Sequence, residues 1–195
     1  DNYEIGIKQD FLDGRITANV GVFKIDWTNI QFEGELPNDC GGILPNGDAT
    51  TKGLEYEVTT QVTEDFVLSI SGAFTDAEVS RVPEVERADG STIPITTLDV
   101  LGANNGTQLG GVPIVQFAAN AGYSFFDLYK GFNGFLNVNY TYTDGVKNNL
   151  NEKNLPGLRG SQLTADDISM LNLSFNLEKD DLSFEFYVNN VFNNV

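Results

Sequence analysis

The chain has 195 residues, of which 41% are hydrophobic and 20% charged, a composition typical of a folded domain rather than a disordered one. Eleven Lys and Arg stand against 28 Asp and Glu, and the net charge of −17 argues against charge-driven binding to nucleic-acid phosphates or an anionic membrane surface. The absence of histidine excludes Ser-His-Asp and Cys-His catalysis and removes the commonest metal ligand.

The N-terminal sequence Asp-Asn-Tyr-Glu-Ile has no initiator Met, basic stretch or apolar signal region, so we expect the chain to be a fragment. No apolar run approaches the roughly 18 to 20 residues that a spanning helix needs, so any crossing of a bilayer would have to use strands. The single cysteine, Cys40, cannot form a disulfide within the chain. We expect it to be a loop cysteine that is free or paired outside this chain.

Apolar and polar residues alternate with a period of two along most of the chain, which predicts antiparallel strands. The second strand loses this phase around Phe23 to Trp27, and we expect a bulge near there. In the third strand, Glu55 and Glu57 lie on the face opposite the apolar residues. The alternation at 115–125 is long enough to cross hydrocarbon as a tilted strand. The predicted strands are 2–11, 16–32, 51–63, 66–80, 113–126, 134–144, 168–178 and 182–192.

The connections alternate between tight turns and long polar stretches. The turns at 12–15, 63–66, 127–133 and 179–181 contain the Asp, Gly and Asn residues that hairpins use. The predicted long loops are 33–50, 81–111 and 145–163. Short turns at one end and long loops at the other are typical of an outer-membrane barrel, with its turns in the periplasm and its loops outside the cell.

Alternation also fits a soluble β-sandwich, for example a carbohydrate-binding module, because one face of each strand would then form the core. The predicted strands are longer than the five or six residues usual in such domains. A small passive barrel of about eight strands is a further alternative, although its interior must be filled by side chains. Aromatic residues near the predicted strand ends favour a membrane barrel, since they could form interfacial girdles. They are Tyr3, Phe11, Phe32, Phe66, Phe125, Phe126, Tyr129, Phe132, Tyr142 and Phe192.

Four segments together resemble the C-terminal barrel half of TonB-dependent outer-membrane receptors, and the resemblance covers nearly the whole chain. The segments at 3–31 resemble that family's strand, turn and strand, and 52–57 (KGLEYE) resembles its next strand. Val112-Pro113 resembles the entry to a later strand, and 188–194 (VNNVFNN) resembles the "N-L-F-D" segment near the family's C-terminus.

The resemblance implies an all-β, up-and-down antiparallel meander of about eight long strands within a 22-stranded transmembrane barrel of a Gram-negative outer membrane. It implies a receptor that binds a scarce nutrient, such as an iron chelate, a cobalamin-like compound or a carbohydrate. It also implies import driven by energy that TonB relays. Expected partners are outer-membrane lipid, the small ligand, and TonB through parts outside this chain. Residues 1–195 contain no plug domain, TonB box or final strand of the family pattern.

Few residues suggest chemistry, and we expect no catalytic residue, no cofactor and no metal site. Glu55 and Glu57 could act as a glycosidase-like pair, which would make the protein a secreted hydrolase, but we interpret them as lumen residues. Acidic loop motifs at 46–48, 89–90 and 166–167 fit no EF-hand pattern. The candidate ligand-binding residues are Glu55, Glu57, Asn46 and Asp48, in the lumen or in the loops.

Overall fold

The computed structural model describes residues 1–32, 34–35, 42–86, 88–94, 103–150 and 162–194. The described residues contain no helix that is long and apolar enough to cross a membrane. The strands are β1 (Asn2–Phe11), β2 (Ile16–Gln31), β3 (Gly34–Glu35), β4 (Gly42–Ile43), β5 (Asn46–Gln61), β6 (Phe66–Arg81), β7 (Glu84–Glu86), β8 (Thr92–Pro94), β9 (Val115–Tyr129), β10 (Phe132–Thr143), β11 (Ile168–Lys179) and β12 (Leu182–Val188).

Eight strands form one antiparallel sheet in the order β1-β2-β5-β6-β9-β10-β11-β12, so the predicted meander is confirmed. The four short strands form two hairpins, β3 with β4 and β7 with β8, within two of the long loops. Among the described residues β1 pairs only with β2 and β12 only with β11, so eight strands do not close into a small barrel. No second layer covers the large sheet in the described ranges, which sets the β-sandwich aside.

Tight turns join the strands at one end of the sheet, called here the short-turn end, and long loops join them at the other, called the long-loop end. The turn between β9 and β10 consists of Lys130 and Gly131, both with positive φ (50° and 82°). A two-residue turn with positive φ at both positions matches the right-handed twist of the two strands that it joins. Arg15, in the first turn, donates hydrogen bonds to the carbonyls of Gln61 and Val62, which ties neighbouring short turns together.

The strand bounds differ most from the predicted ones in two places, while β9 and β10 each differ by up to three residues and so shorten the turn predicted at 127–133 to two residues. The strand predicted at 51–63 is β5, which begins at Asn46 because Asn46 pairs with Gln31 of β2. The strand predicted at 182–192 ends at Val188. Asn190 and Asn193 then take left-handed conformations with φ of 51° and 54°, and the chain turns back onto β11.

The bulge expected near Phe23 to Trp27 lies two residues further along β2, and it is not the cause of the lost phase. β2 keeps a continuous register with β5 from Ile16 to Thr28, and the irregularity falls between Thr28 and Ile30, where Asn29 has a φ of 58°. The alternation of apolar and polar residues changes phase because the polarity of the two faces exchanges at Phe23, while the strand itself continues unbroken. Polar residues lie on the other face from that point onward.

This exchange occurs in three neighbouring strands. The face of the sheet opposite Glu55 and Glu57 is called here the convex face, because those two residues line a hollow on the other side. The convex face is apolar up to Val22 in β2, from Val58 to Leu54 in β5, and up to Phe74 in β6. The next residue on the same face is charged in every case, as Lys24, Lys52 and Asp76. The convex face therefore changes from apolar to charged at one row across three strands.

The convex apolar surface is also rich in aromatic pairs. Near the short-turn end Tyr123 packs on Phe125 with 4.6 Å between ring centroids, and towards the long loops Phe117 packs on Tyr142 at 5.5 Å. Phe32 does not belong to a girdle, contrary to the prediction, because it is only 3% exposed in a loop-side cluster. Phe126 directly follows Phe125 and so lies on the opposite face of β9.

The buried core is small and lies at the long-loop end. Phe32, Val79, Val82 and Ala103 form it, and Val79 is fully buried. Residues 106–109 pair with the free edge of β6 beyond the end of β9, as in the hydrogen bond from Val79 N–H to the Thr107 carbonyl. Most apolar side chains of the large sheet are exposed or half-buried instead, so the sheet does not fold around an interior of its own.

Candidate functional site

The polar face of the sheet is concave and encloses an open hollow of about 830 Å³. Alternation places the polar residues of six neighbouring strands, β1 to β10 without the short loop strands, on this one face. Strand geometry therefore gathers polar side chains at this hollow, where they lie beside glycines and some apolar residues. Its polar lining residues are Glu4, Lys8, Asn19, Glu55, Glu57, Ser71, Gln116, Thr141 and Thr143.

The structure brings Glu55 and Glu57 together on this concave face, and both side chains are exposed. Glu57 accepts a hydrogen bond from the Asn19 amide at 3.0 Å. Glu55 lies between Gly21 and Ala73, whose side chains offer no polar group. Of the two, Glu55 therefore has the less occupied carboxylate for contact with a solute.

A row of side-chain hydrogen bonds crosses the concave face on β9, β10 and β11. The Asn139 amide donates to Asn120 at 2.7 Å, and the Asn172 amide donates to Asn139 at 3.3 Å. Asn172 in turn accepts a hydrogen bond from the backbone N–H of Asn190. Asn137, Ser174, Glu185 and Tyr187 line a second hollow of about 460 Å³ beside this row. The row forms a continuous neutral polar surface across the three strands β9, β10 and β11.

Asn46 and Asp48 lie in β5 rather than in the loop predicted at 33–50. The Asp48 carboxylate accepts two hydrogen bonds from the Arg81 guanidinium, at 2.7 and 3.0 Å, and one from the Asn29 N–H at 3.0 Å. This arrangement joins β2, β5 and β6 at the base of two long loops. Asp48 thus has a structural role that leaves little of its carboxylate for a ligand, while the Asn46 residue is exposed.

The other acidic motifs also have local explanations. Asp89 accepts hydrogen bonds from the N–H and the hydroxyl of Ser91, at 2.9 and 2.6 Å, as in an Asx turn. These bonds lower the pKa of the Asp89 carboxyl. Within the described ranges, no group of three or more Cys, Asp or Glu residues is arranged to hold a metal ion. Cys40 lies outside the described residues.

Sequence reasoning did not single out the amide row or the role of Asp48. The row had a signal, because Asn120, Asn139 and Asn172 each stand at a polar position of an alternating segment. The three residues form one row only because of the register of β9, β10 and β11, and the sequence alone does not give that register. The Asp48 and Arg81 pair joins residues 33 positions apart and had no local signal.

Parts of the chain are similar in sequence to known receptors. The chain is 31% identical over 85 residues to the metal-pseudopaline receptor CntO of Pseudomonas aeruginosa, which is 44% of this chain and 12% of that protein. It is 34% identical over 65 residues to the ferric-pyoverdine 358 receptor of Pseudomonas putida, which is 31% of this chain and 8% of that protein. The chain thus spans a small part of the curated relatives it matches.

A solved structure shares the fold. A chain in the structure of the FpvAI-pyocin S2 complex matches with a TM-score of 0.61 at 19% identity, over 99% of this chain and 22% of that one. The family model described as TonB dependent receptor-like, beta-barrel matches residues 1–191. The chain therefore belongs to the TonB-dependent receptor family, and its sheet is part of the β-barrel of a receptor in a Gram-negative outer membrane.

Proposed function

We propose that the protein is an active-transport receptor that binds a metal–siderophore complex outside the cell and imports it with energy relayed by TonB. The observation that carries this proposal is the pairing of an exposed apolar convex face with a polar concave face in a chain of this family. Such a wall separates lipid from a polar lumen. It performs binding and passage without making or breaking bonds.

The orientation follows from the connections. The long-loop end faces the outside of the cell and the short-turn end faces the periplasm, as in other barrels of the outer membrane. The convex apolar stripes lie in hydrocarbon, where a strand of 9 to 11 residues suffices to cross. β1 and β12 pair through their free edges with further strands, because an unpaired strand edge in lipid leaves backbone groups without hydrogen bonds.

The substrate class rests on the relatives, since one is named a metal-pseudopaline receptor and another a ferric-pyoverdine receptor. A metal chelate is polar and carries its own metal, so the receptor needs no resident metal ligands. Glu55 and Glu57, exposed on the concave face, contact the ligand or its path. Asp48 is not expected to contact it, because Arg81 and Asn29 occupy its carboxylate.

The test uses the receptor expressed from its complete gene in cells that lack other siderophore receptors. Radiolabelled ferric and nickel siderophores, cobalamin and a maltodextrin are supplied separately, with and without functional TonB. We expect TonB-dependent uptake of a metal–siderophore complex alone. Uptake that persists without TonB, or uptake confined to cobalamin or the sugar, would overturn the proposal.

The role of the concave carboxylates can be tested separately. Glu55→Gln is expected to weaken binding of the transported chelate about fivefold, because a hydrogen bond to a charged group contributes about 1 kcal/mol at an exposed site. Glu185→Gln, on the same face but beside the second hollow, serves as the matched control and should leave affinity unchanged. Equal affinities for the wild type and Glu55→Gln would contradict the assignment of Glu55.

A further inference from the structure

Three of the long loops meet in the small core at the long-loop end, called here the loop junction. One side chain comes from the loop between β2 and β5, others from the end of β6 and the loop after it, and one from the loop between β10 and β11. The buried residues are Phe32, Val79, Val82 and Ala103, with Ile30, Leu109 and Leu150 packed against them. Segments far apart in the chain therefore share one apolar cluster.

Backbone hydrogen bonds join two of these loops to the sheet and to each other. The Leu109 N–H donates to the Ala77 carbonyl at 2.9 Å, which attaches the loop after β6 to the edge of that strand. The Gly111 N–H donates to the Lys147 carbonyl at 2.8 Å, which attaches the same loop to the loop between β10 and β11. Apolar contacts and backbone pairing thus connect the loops at the same place.

The loop junction lies on the concave side of the sheet. Alternation places Ala49, Ala77 and Val79 on the concave face, and each of them is buried. A Cβ at Gly47, on the same face, would lie 2.5 Å from Cε2 of the Phe32 ring. Small residues on this face therefore leave room for loop side chains, and the loop junction lies over the lumen.

In the orientation given with the proposed function, the loop junction stands between the outside of the cell and the larger hollow. The hollow extends along β6 as far as Ala73. Ala77, under the loop junction, is four residues nearer the long loops, or about 13 Å along the strand. A solute that enters the hollow from outside passes this level, so loops held inward here narrow its entrance.

The loop junction can open at a modest cost in free energy. Its centre in the described residues is only four buried side chains, and segments with few buried apolar contacts open more readily than a large core. The segment that pairs with β6 lies between Gly106 and Gly111, whose φ angles are 87° and 77°. Glycines at both ends of a segment can absorb the change of backbone conformation that a hinge requires.

We propose that the loop junction is a latch that holds the three loops inward over the outer mouth and releases them together when it opens. The location at the outer mouth rests on the proposed function. The coupling between the loops does not, because it follows from the shared cluster and the backbone pairing alone. Truncation of one side chain of the cluster should therefore free the backbone of loops to which that side chain does not belong.

The test measures hydrogen exchange by mass spectrometry in the receptor expressed from its complete gene and reconstituted in lipid vesicles, without ligand. Phe32→Ala should speed exchange at least about tenfold at the Leu109 and Asn148 amides, which lie in the other two loops. The reason is that truncating a buried phenylalanine typically shifts such an equilibrium by well over one tenfold step. Exchange at Val138, in the middle of β10, should be unchanged.

Leu44→Ala is the matched control, because Leu44 belongs to the same loop as Phe32 but is 64% exposed. It should leave exchange at Leu109 and Asn148 unchanged. Leu150→Ala makes the reciprocal test and should speed exchange at the Phe32 amide, which donates to the Pro45 carbonyl within its own loop. Faster exchange confined to the loop that carries the substitution would overturn the proposal.

A second measurement asks whether the loops are released together. At alkaline pH, where an amide exchanges each time it is exposed, the exchange rate equals the rate of opening. The amides of Phe32, Leu109 and Asn148 should then exchange at one common rate in the wild type. Three different opening rates would show that the loops open one by one and would overturn the latch. The measurement needs neither chelate nor TonB, so it is independent of the proposed transport function.

Discussion

The two halves of β2, β5 and β6 use the same alternation with opposite polarity. In the half nearer the short turns, Val20 and Val22 lie on the convex face, and Asn19 lies on the concave face. In the half nearer the long loops, Lys24 lies on the convex face and Phe23 on the concave face. The register continues through the exchange without a break until Thr28.

Because the register is unchanged, each side chain keeps its expected face of the sheet through the exchange. The polarity of a face therefore depends on the surroundings of that part of the strand. In the orientation proposed above, the convex face meets lipid in the first half, whereas in the second half it carries the charged residues Lys24, Lys52 and Asp76. The concave face is open in the first half, whereas in the second Val79 is fully buried under the loop that contains Ala103. We therefore expect the row at which polarity exchanges to lie at the edge of the hydrocarbon.

The largest expected effect comes from placing a charge in the middle of the convex apolar stripe. Ala119→Arg on β9 should lower the free energy of unfolding by about 2 to 4 kcal/mol, the cost reported for a basic residue at the centre of the bilayer. The measurement is denaturant unfolding of the receptor, expressed from its complete gene, in lipid vesicles.

Ala118→Arg provides a control one residue away, on the concave face that lines the larger hollow. It should change the free energy of unfolding by less than about 1 kcal/mol, because the arginine would point into the polar lumen. If Ala118→Arg cost as much as Ala119→Arg, the assignment of the convex face to lipid would be wrong.

A smaller effect is expected where an aromatic ring covers a strand glycine in the half nearer the long loops. A Cβ at Gly53 would lie 2.5 Å from Cζ of Phe23 and 2.5 Å from the carbonyl oxygen of Phe74. Gly53→Ala should therefore cost about 1 to 3 kcal/mol, as overpacking does in a filled core. The same unfolding assay measures it.

Gly21→Ala is the matched control, since Gly21 also lies on the concave face of a neighbouring strand. Its Cβ would meet only the Ile5 carbonyl oxygen, at 4.0 Å. Stability should stay level or rise slightly, because alanine loses less conformational entropy than glycine in a strand. A loss of stability at Gly21 equal to that at Gly53 would show that Phe23 is not the cause.

The sequence predicted the sheet well because period-two alternation is a local signal. The segments at 2–11 and 66–80 match β1 and β6 to within one residue at each end. The alternation was misleading where the polarity of a residue depends on its surroundings outside the strand. Phe23 is such a case, because its apolar side chain packs over Gly53 of the next strand. The segment at 46–50 was predicted as loop because its Asn, Gly and Asp residues favour turns, yet pairing with β2 draws it into β5.

The candidate site was predictable only in part. Alternation placed Glu55 and Glu57 on one polar face, and the structure puts both at the concave hollow. No local pattern could show that Asp48 is held by Arg81, because that ion pair depends on the register of β5 with β6. Contacts between neighbouring strands thus decide which acidic residues remain available to a ligand.

The smallest expected effect concerns this ion pair at the base of the long loops. Arg81→Gln should lower local stability by about 1 kcal/mol or less, because the Arg81 side chain is 48% exposed and its pairing is partly screened by solvent. Hydrogen exchange should speed up about fivefold at the amides of Val79 and Val82, in the core beside it. The amides of Val138 and Leu173, in the middle of β10 and β11 and away from this core, should be unchanged.

Asp48→Asn with Arg81→Gln completes a double-mutant cycle for the pair. The double variant should be no less stable than Arg81→Gln alone, since the interaction is already lost in the single variant. If the losses of stability from Asp48→Asn and Arg81→Gln instead added up in the double variant, Asp48 would stabilise the loop base mainly through the Asn29 N–H. Faster exchange at Val138 as well as at Val79 would show that the core at the long-loop end and the middle of β10 open as one unit, so that the pair would stabilise the sheet as a whole and not only the loop base.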